Sequence, residues 1–288
     1  MLHDIEVKKY LGGKAEAIIK LNKWGYLIPQ TTILETEYFV RFLEVNNLTH
    51  EIIQLCKSID KDNFNEISHK IRMKIMNGRV DSQSYELIKK KLSKIHYDLL
   101  AIRSSSINED SYTNSFAGIH DSYLNVPNKI DTATVFIKKC WASLFNDRAV
   151  AYKLYKGLSI FDKMAVILQE MVEAQYSGVV YTVHPVFSDY ILVEMLSGIG
   201  SNLVEGKITP YHYIINKRNF SINTIKQQKM IVYKKVLIDI SRRCSEMEKL
   251  FEGPQDIEFC ISKGNVYYLQ SRPLNLSSKV IRKTKRCT

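Results

Sequence analysis

The amino-acid sequence predicts an α+β fold made of two lobes. Its 288 residues suffice for one domain of two lobes or for two small domains. The first half carries mainly helical hydrophobic periods, whereas short apolar segments of strand type dominate the second half. We therefore expect a helix-rich lobe over residues 1–164, with a helical insert at about 35–97, and a sheet-rich lobe over 165–274. Residues 275–288 are expected to form a basic, disordered tail.

The elements of the first lobe follow from its hydrophobic periods and its breaker residues. Gly12-Gly13-Lys14 opens a helix that ends near Gly25, and an extended segment follows at 26–33. Polar helical periods fill the insert. Residues 99–103 form an apolar strand that stops in a polar stretch, and 129–156 are again helical.

The second lobe is predicted to contain six strands and one helix. Runs rich in β-branched and aromatic residues, bounded by turn residues, indicate the strands. They are expected at residues 165–172, 178–183, 191–196, 211–216, 257–262 and 266–271. The helix is expected at 236–252, between the fourth and fifth of these strands.

The composition is that of an ordinary folded protein, with 45% apolar and 25% charged residues. No run of about 18 apolar residues occurs, so no membrane span is expected. The N-terminus lacks the apolar core of a signal peptide, and the five cysteines are scattered without a CxxC pair. These features predict a cytoplasmic protein with reduced thiols, and they do not indicate a metal site built from cysteine or histidine.

The net charge of +11 is compatible with nucleic-acid binding, because clustered Lys and Arg side chains bind phosphates. Most of the basic residues are spread along the chain, however, which is typical of a solvated surface. One cluster follows the last acid, and it consists of Lys279, Arg282, Lys283, Lys285 and Arg286. We interpret it as part of the disordered end, with binding to a polyanion as the alternative, and we do not expect a nucleic-acid partner.

The segment from Asp256 to Arg272 predicts a β-hairpin and is the most informative part of the chain. Alternation along its two strands predicts an apolar face, formed by Ile257, Phe259, Ile261, Tyr267 and Leu269. A three-residue turn at 263–265 would set Glu258 across from Gln270 and Asp256 across from Arg272.

The polar face of this hairpin has the residue types that a magnesium–phosphate complex needs. Carboxylate and amide oxygens are hard ligands for the ion, as at Glu258 and Gln270, and the guanidinium fork of Arg272 suits phosphate oxygens. The alternative is a solvated outer face that carries a cross-strand ion pair between Asp256 and Arg272.

Three further motifs could contact phosphates. Gly12-Gly13-Lys14 places free N–H groups and an ammonium at the head of a helix, although this tripeptide is frequent by chance. Arg103 follows an apolar strand and precedes hydroxyl side chains, although it could also pair with an acid. Ser115-Phe116-Ala117-Gly118 has the small residues of a mobile flap, with a simple loop as the alternative.

Taken together and in order, these motifs resemble the N-terminal nucleotide-binding domain of the phosphoenolpyruvate synthase and pyruvate phosphate dikinase family. Rifampicin phosphotransferases carry a similar domain. The matching stretches extend from residue 12 to 273, and they include Gly12-Gly13-Lys14-Ala15, Ile102-Arg103-Ser104-Ser105, Ser115-Phe116-Ala117-Gly118, Gln169-Glu170-Met171-Val172, Asp256-Ile257-Glu258 and Gln270-Ser271-Arg272-Pro273.

The resemblance implies an ATP-grasp fold that binds ATP and magnesium in the cleft between its two lobes. Lys14 and Arg103 would hold phosphates, with Gly118 in the flap. The backbone of Gln169, Glu170, Met171 and Val172 would meet the adenine edge, and Glu194 would take the ribose hydroxyls. Glu258 and Gln270 would ligate magnesium with support from Asp256, and Arg272 would stabilise the transferring phosphoryl group. Lys14, Arg103 and Arg272 are therefore the expected catalytic residues.

The sequence departs from the family pattern at several positions and in its length, and these departures bear on which acceptor receives the phosphoryl group. Ser201, Tyr211 and His184 stand where the family commonly has acids, which puts the substrate loops in doubt more than the phosphate site. The sequence stops at Thr288, before the domains that carry the phosphohistidine and the acceptor in the family. We therefore expect an ATP-dependent phosphotransferase that acts on a carrier histidine of a separate protein. The alternatives are a standalone small-molecule kinase or ligase and a non-catalytic ATP-binding regulatory partner.

Overall fold

The computed structural model describes residues 2–107, 121–198, 210–224, 232 and 234–274. Among these residues, eight helices and ten strands form two compact units, which confirms the predicted α+β class. The first unit takes the described parts of Met1–Ile19 and Pro29–Met171, and the second takes those of Lys20–Ile28 and Val172–Thr288.

The helices and strands are numbered in chain order. The helices are α1 Leu2–Lys23, α2 Thr36–Val45, α3 Thr49–Lys57, α4 Phe64–Asn77, α5 Ser82–Leu92, α6 Ile130–Ser143, α7 Asp147–Lys156 and α8 Lys234–Leu250. The strands are β1 Thr31–Leu34, β2 Leu99–Ser106, β3 Ser122–Pro127, β4 Met164–Glu170, β5 Tyr176–Tyr181, β6 Tyr190–Ser197, β7 Tyr211–Asn216, β8 Ile222–Thr224, β9 Gln255–Ser262 and β10 Asn265–Pro273.

The first unit is an antiparallel sheet of order β1-β4-β2-β3 with a helical layer on one face. Alternate residues of β2 and β4, such as Ile102 and Leu168, point into the apolar core below the helices. The ring of Trp141 on α6 packs against Phe39 and Phe42 of α2, with centroid distances of 5.6 and 5.0 Å. The predicted helical insert is therefore an integral part of this core.

The second unit is an antiparallel sheet of order β10-β9-β5-β6-β7-β8. Helix α8 covers one face of it with buried residues at helical spacing, namely Leu237, Ile240, Cys244 and Met247. These side chains share an apolar cluster with residues of the central strands, including Val193 and Phe259. The opposite face of the sheet carries the polar side chains described below, together with apolar ones such as Leu192 and Leu196.

The division of the chain differs from the predicted ranges 1–164 and 165–274 at two places. Strand β4 lies in the first sheet, hydrogen-bonded between β1 and β2, so the first unit extends to Met171. Residues 20–28 group with the second unit, where Tyr26 packs edge-on against Tyr268 at 5.6 Å. An apolar strand such as β4 is compatible with either sheet by its own pattern, because pairing depends on distant partners.

Several element bounds also differ from the sequence-based expectation. Strand β2 continues to Ser106 instead of stopping at residue 103, because the serine hydroxyls find partners inside the fold. Ser104 Oγ donates to the carbonyl of Asp121 at 3.0 Å, and Ser106 Oγ donates to Asp162 at 2.6 Å. The six strands predicted in the second half are all present within a few residues, whereas β3 and β8 were not predicted.

Candidate functional site

A kink in α1 begins the candidate site in the first unit. Gly12 has φ 72° and ψ 166°, which interrupts the helix, and a second helical stretch starts after it as the sequence predicted. The hydroxyl of Ser105 on β2 bridges the kink: it accepts from the N–H of Ala15 at 3.1 Å and donates to the carbonyl of Leu11 at 2.8 Å. The strand therefore holds both sides of the break and caps the helix that follows.

Lys14 and Arg103 lie beside this kink. Lys14 is two residues past Gly12 and only 8% exposed. Arg103 and Ser105 share one face of β2 because they are two residues apart on a strand, and Ser105 contacts α1. The structure thus places Arg103 on the face of β2 opposite the helical core, and it places Lys14 just past the kink that Ser105 holds. Gly118 and its flap lie outside the described residues.

The segment from Gln169 to Val172 is anchored by its own side chains and backbone. The side-chain amide of Gln169 donates to Thr31 Oγ1 at 3.0 Å, and Glu170 Oε2 accepts from the N–H of Gln30 at 3.0 Å. The N–H of Met171 donates to the carbonyl of Leu99 at 2.9 Å. The side chains of Gln169 and Glu170 are therefore engaged within the first unit, so a contact of these two residues with an adenine would come from their backbone.

The β9–β10 hairpin has the predicted cross-strand pairs. Glu258 lies opposite Gln270, and Asp256 lies opposite Arg272. The register is reached differently from the prediction, because the turn has two residues, Lys263 and Gly264, both with positive φ. A register shift between Tyr268 and Gln270 then inserts one extra residue in β10, which restores the predicted alignment.

This turn changes which side chains of β10 face the core. Ile257, Phe259 and Ile261 of β9 join the apolar cluster, as predicted. On β10, however, Tyr268 packs opposite Phe259 and is buried, so the prediction that Tyr267 and Leu269 form the apolar side is wrong. A two-residue turn shifts the alternation by one position up to the bulge, and this exchanges the two faces over that stretch.

Asp256 holds Arg272 in a fixed orientation. Nε and Nη2 of the guanidinium donate to Asp256 Oδ2 at 2.9 and 2.6 Å. The carboxylate side chain is 7% exposed and the guanidinium side chain 24%, so the ion pair is largely shielded from water. This arrangement makes Asp256 the partner that orients Arg272, and it leaves Glu258 and Gln270 as the stronger candidates for a metal.

Glu258, Gln270 and Glu194 lie in one row across the sheet. The register pairs Gln270 with Glu258, Glu258 with Val179, and Val179 with Glu194, and directly opposed residues point to the same face. Glu258 and Glu194 are two strands apart, which corresponds to about 10 Å. The predicted metal ligands and the predicted ribose ligand therefore share the polar face of the second sheet.

Two residues that the sequence did not indicate belong to this polar face. His212 continues the row, and its Nδ1 lies 3.3 Å from Glu194 Oε1. Tyr181 lies opposite Asp256 in the neighbouring row. Burial raises the pKa of Tyr181 to about 12, the charges of Asp256 and Glu194 add to the rise, and Arg272 opposes it. Only the strand register reveals these positions, since nothing in the local sequence of β5 or β7 marks them.

His184 acts within its own loop. Its Nδ1 accepts from the N–H groups of Val186 and Phe187 at 3.0 and 3.2 Å, and burial lowers the pKa of the imidazole. The ring also lies 5.1 Å from that of Phe187. These contacts make His184 a structural residue of its loop.

The donor set on the polar face fits a magnesium ion that is shared with phosphates. Within the ranges that the structure describes, no group of three or more His, Cys, Asp and Glu side chains could hold a metal ion alone. Magnesium is usually bound by one or two protein oxygens and completed by phosphate oxygens and water. A carboxylate and an amide opposite each other, as at Glu258 and Gln270, match that requirement.

Comparison with known proteins places the chain among ATP-binding domains. Residues 8–236 match the family model PPDK_N, described as pyruvate phosphate dikinase, AMP/ATP-binding domain. The chain belongs to this family. The family match agrees with the resemblance seen in the sequence, and the helices and two antiparallel sheets have the predicted α+β class.

Individual proteins of known sequence are also similar to this chain along most of its length. The rifampicin phosphotransferase of Bacillus subtilis is 30% identical over 309 residues, which cover 95% of this chain and 35% of the relative. The probable phosphoenolpyruvate synthase of Archaeoglobus fulgidus is 28% identical over 305 residues, which cover 93% of this chain and 40% of the relative. This chain thus spans between a third and two fifths of these relatives.

One solved structure, the D-alanine–D-alanine ligase of Bacillus anthracis, aligns with 94% of this chain and 60% of its own. Its TM-score is 0.37 at 7% identity.

No helix in the described ranges has both the length and the apolar character needed to cross a bilayer.

Proposed function

We propose that this chain is the ATP-binding part of a phosphotransferase, which binds ATP with magnesium and passes a phosphoryl group to an acceptor. The polar face of the second sheet is the observation that carries the proposal. There, Glu258 and Gln270 lie opposite each other, and Arg272 is fixed by Asp256 one row away. Membership in a family of ATP-binding domains supports the choice of ligand.

Each group of the polar face has a role in this proposal. Glu258 and Gln270 hold the metal, which when bound supplies positive charge to the phosphate oxygens. Arg272 presents its fork to the transferring phosphoryl group, and Asp256 keeps the fork in place. Glu194 accepts hydrogen bonds from the ribose hydroxyls.

The first unit contributes phosphate and adenine contacts. Lys14, just past the kink in α1, and Arg103 on β2 neutralise phosphate charge. The backbone of residues 169–172 meets the adenine edge. Phosphoryl transfer requires little covalent chemistry from the protein. These residues therefore act by positioning the reactants and by stabilising the charge of the transition state.

The acceptor is proposed to be a carrier histidine on a separate protein of a split phosphoenolpyruvate synthase-like system. The named relatives include a probable phosphoenolpyruvate synthase and a rifampicin phosphotransferase, and the second is a phosphotransferase by name. In the described part of this chain, His184 orders its own loop and His212 contacts Glu194, so neither is the chosen carrier. A cytoplasmic location, where ATP is available, goes with this proposal.

The test replaces the two central side chains of the polar face. Glu258→Ala and Arg272→Ala should each lower phosphoryl transfer by about 100-fold or more, as expected when a charge that stabilises the transition state is lost. Labelled ATP is incubated with each variant and with candidate acceptors, and the nucleotide product is identified as AMP or ADP. Turnover at the wild-type rate in either variant would contradict the assignment.

Controls separate chemistry from folding. Arg218→Ala removes an exposed Arg from the turn between β7 and β8 of the same unit and should leave transfer unchanged. Arg272→Lys keeps a cation beside the buried Asp256 while removing the fork, so it should fold even where Arg272→Ala is destabilised. Transfer should remain low in the lysine variant.

A further inference from the structure

The side chains of Glu194 and His212 contact each other on the polar face of the second sheet. The two residues are direct neighbours on β6 and β7, and Nδ1 of the imidazole lies 3.3 Å from Oε1 of the carboxylate. Their side chains are 21% and 32% exposed, so both are mostly covered by the protein. An exposed pair of this kind would contribute little, whereas a partly shielded one restrains both partners.

We propose that His212 is a positioning residue for nucleotide recognition, which holds Glu194 so that its second carboxylate oxygen accepts a hydrogen bond from a ribose hydroxyl. This inference rests on the proposed function, since it takes ATP as the ligand. Through Glu194, His212 sets how strongly the protein prefers a ribonucleotide to its deoxy counterpart. The role is specificity and affinity for the sugar, not the transfer of the phosphoryl group.

The position of the pair along the row suits a sugar. Glu194 is two strands from Glu258, about 10 Å away. This separation is of the same order as that between the metal-bound phosphates and the ribose hydroxyls of an extended nucleotide. Val179, the residue between them in the row, is apolar and offers the sugar a surface without competing hydrogen bonds.

A carboxylate that is already restrained binds a ligand with higher affinity than a mobile one. A glutamate side chain loses rotamer freedom when it is fixed, and this loss opposes binding if the ligand alone must fix it. The imidazole of His212 restricts Glu194 through its contact with Oε1, and we take the other oxygen, Oε2, as the acceptor for the ribose. Removing the imidazole should therefore weaken the bond to the ribose and leave the phosphate contacts unchanged.

The experiment measures binding of magnesium–ATP and magnesium–2′,3′-dideoxy-ATP to the full chain by calorimetry. Wild type should prefer ATP. His212→Ala should weaken ATP binding by roughly tenfold, equivalent to one hydrogen bond of about 1.4 kcal/mol, and should leave dideoxy-ATP binding unchanged. His212→Asn should restore most of the preference, because its amide nitrogen can take the place of Nδ1.

Two further variants complete the design. Glu194→Gln should lower the preference in the same way as His212→Ala, and the double variant should lose no more than either single one. His50→Ala, at an exposed site on α3 of the first unit, should have no effect.

Each outcome has a definite meaning. An equal loss for both nucleotides, an unchanged preference in His212→Ala, or no restoration by asparagine would overturn the role of His212 while the proposed function stands. Absence of ATP binding to the wild-type chain would overturn the proposed function, and this inference with it.

Discussion

At the scale of single residues, Gly12 shows how a local conformation positions a candidate site. Its φ of 72° lies in the left-handed region, and a Cβ at this position would lie 2.5 Å from the carbonyl oxygen of Ser105. The kink lets Ser105 reach both Leu11 and Ala15 and sets the direction in which Lys14 leaves the helix. Any side chain at Gly12 would push α1 away from β2.

Gly12→Ala should therefore destabilise the protein and displace Lys14. We expect a cost of about 1–2 kcal/mol from the positive φ alone, with the clash against Ser105 in addition. Gly25→Ala is the matched control, because Gly25 has φ +80° with nothing within 4 Å of its Cβ position. Urea unfolding of both variants, with ATP affinity measured alongside, separates the two effects. Equal losses of stability in the two variants would contradict the role of the close approach.

At the scale of elements, the cap of α5 shows what stabilises the helical layer. Asp81 is the N-cap residue: it accepts from the N–H of Ser84 at 3.2 Å and from the hydroxyl of Ser84 at 2.6 Å. The guanidinium of Arg41 on α2 donates to both carboxylate oxygens, at 3.2 and 2.9 Å. One carboxylate thus begins a helix and joins it to another.

Asp81→Ala should lower the free energy of unfolding by about 1–2 kcal/mol, mostly through the lost cap. Asp81→Asn keeps an N-cap acceptor and loses the ion pair, so its loss should be the smaller of the two. Chemical denaturation at neutral pH measures both variants. A larger loss for asparagine than for alanine would show that the cap is not the main contribution.

The same carboxylate predicts a pH dependence. The hydrogen bonds from Arg41 hold the pKa of Asp81 well below its usual range, and those from Ser84 add to the effect. Because the folded-state pKa lies below the unfolded one, the stabilisation is fully present above about pH 4 and is lost as the pH falls further. Wild type should therefore lose stability more steeply than Asp81→Asn below about pH 4, and equal slopes for the two would contradict this.

At the scale of the whole molecule, the proposed ligand should stabilise the fold. A ligand that binds only the folded state at 100 times its Kd adds about 2.7 kcal/mol. For a chain of this size the unfolding temperature should rise by several degrees, since about 1 kcal/mol corresponds to roughly 2–4 °C. Calorimetric scans with ATP, with and without magnesium, measure the effect. Glu258→Gln should remove most of the part that depends on magnesium, and a shift that is independent of magnesium would contradict the metal assignment.

The sequence by itself determined the features that depend on local patterns and short motifs. Most of the helices and strands, the helical stretch that begins after Gly12, and the pairing of Glu258 with Gln270 could be predicted from it. The family could also be predicted, because its motifs are short and occur in a fixed order. Side-chain alternation acts within a few residues and is largely readable without the fold, whereas the exact length of a hairpin turn was not, as the two-residue turn of β9–β10 shows.

Only the tertiary structure decided which strands pair and which side chains meet across them. It placed β4 in the first sheet and aligned Glu194 and His212 with Glu258 across the second sheet. These relations join positions far apart in the chain. Their physical reason is pairing between distant strands, since a shift of one residue exchanges the two faces of a strand and local sequence alone does not show it.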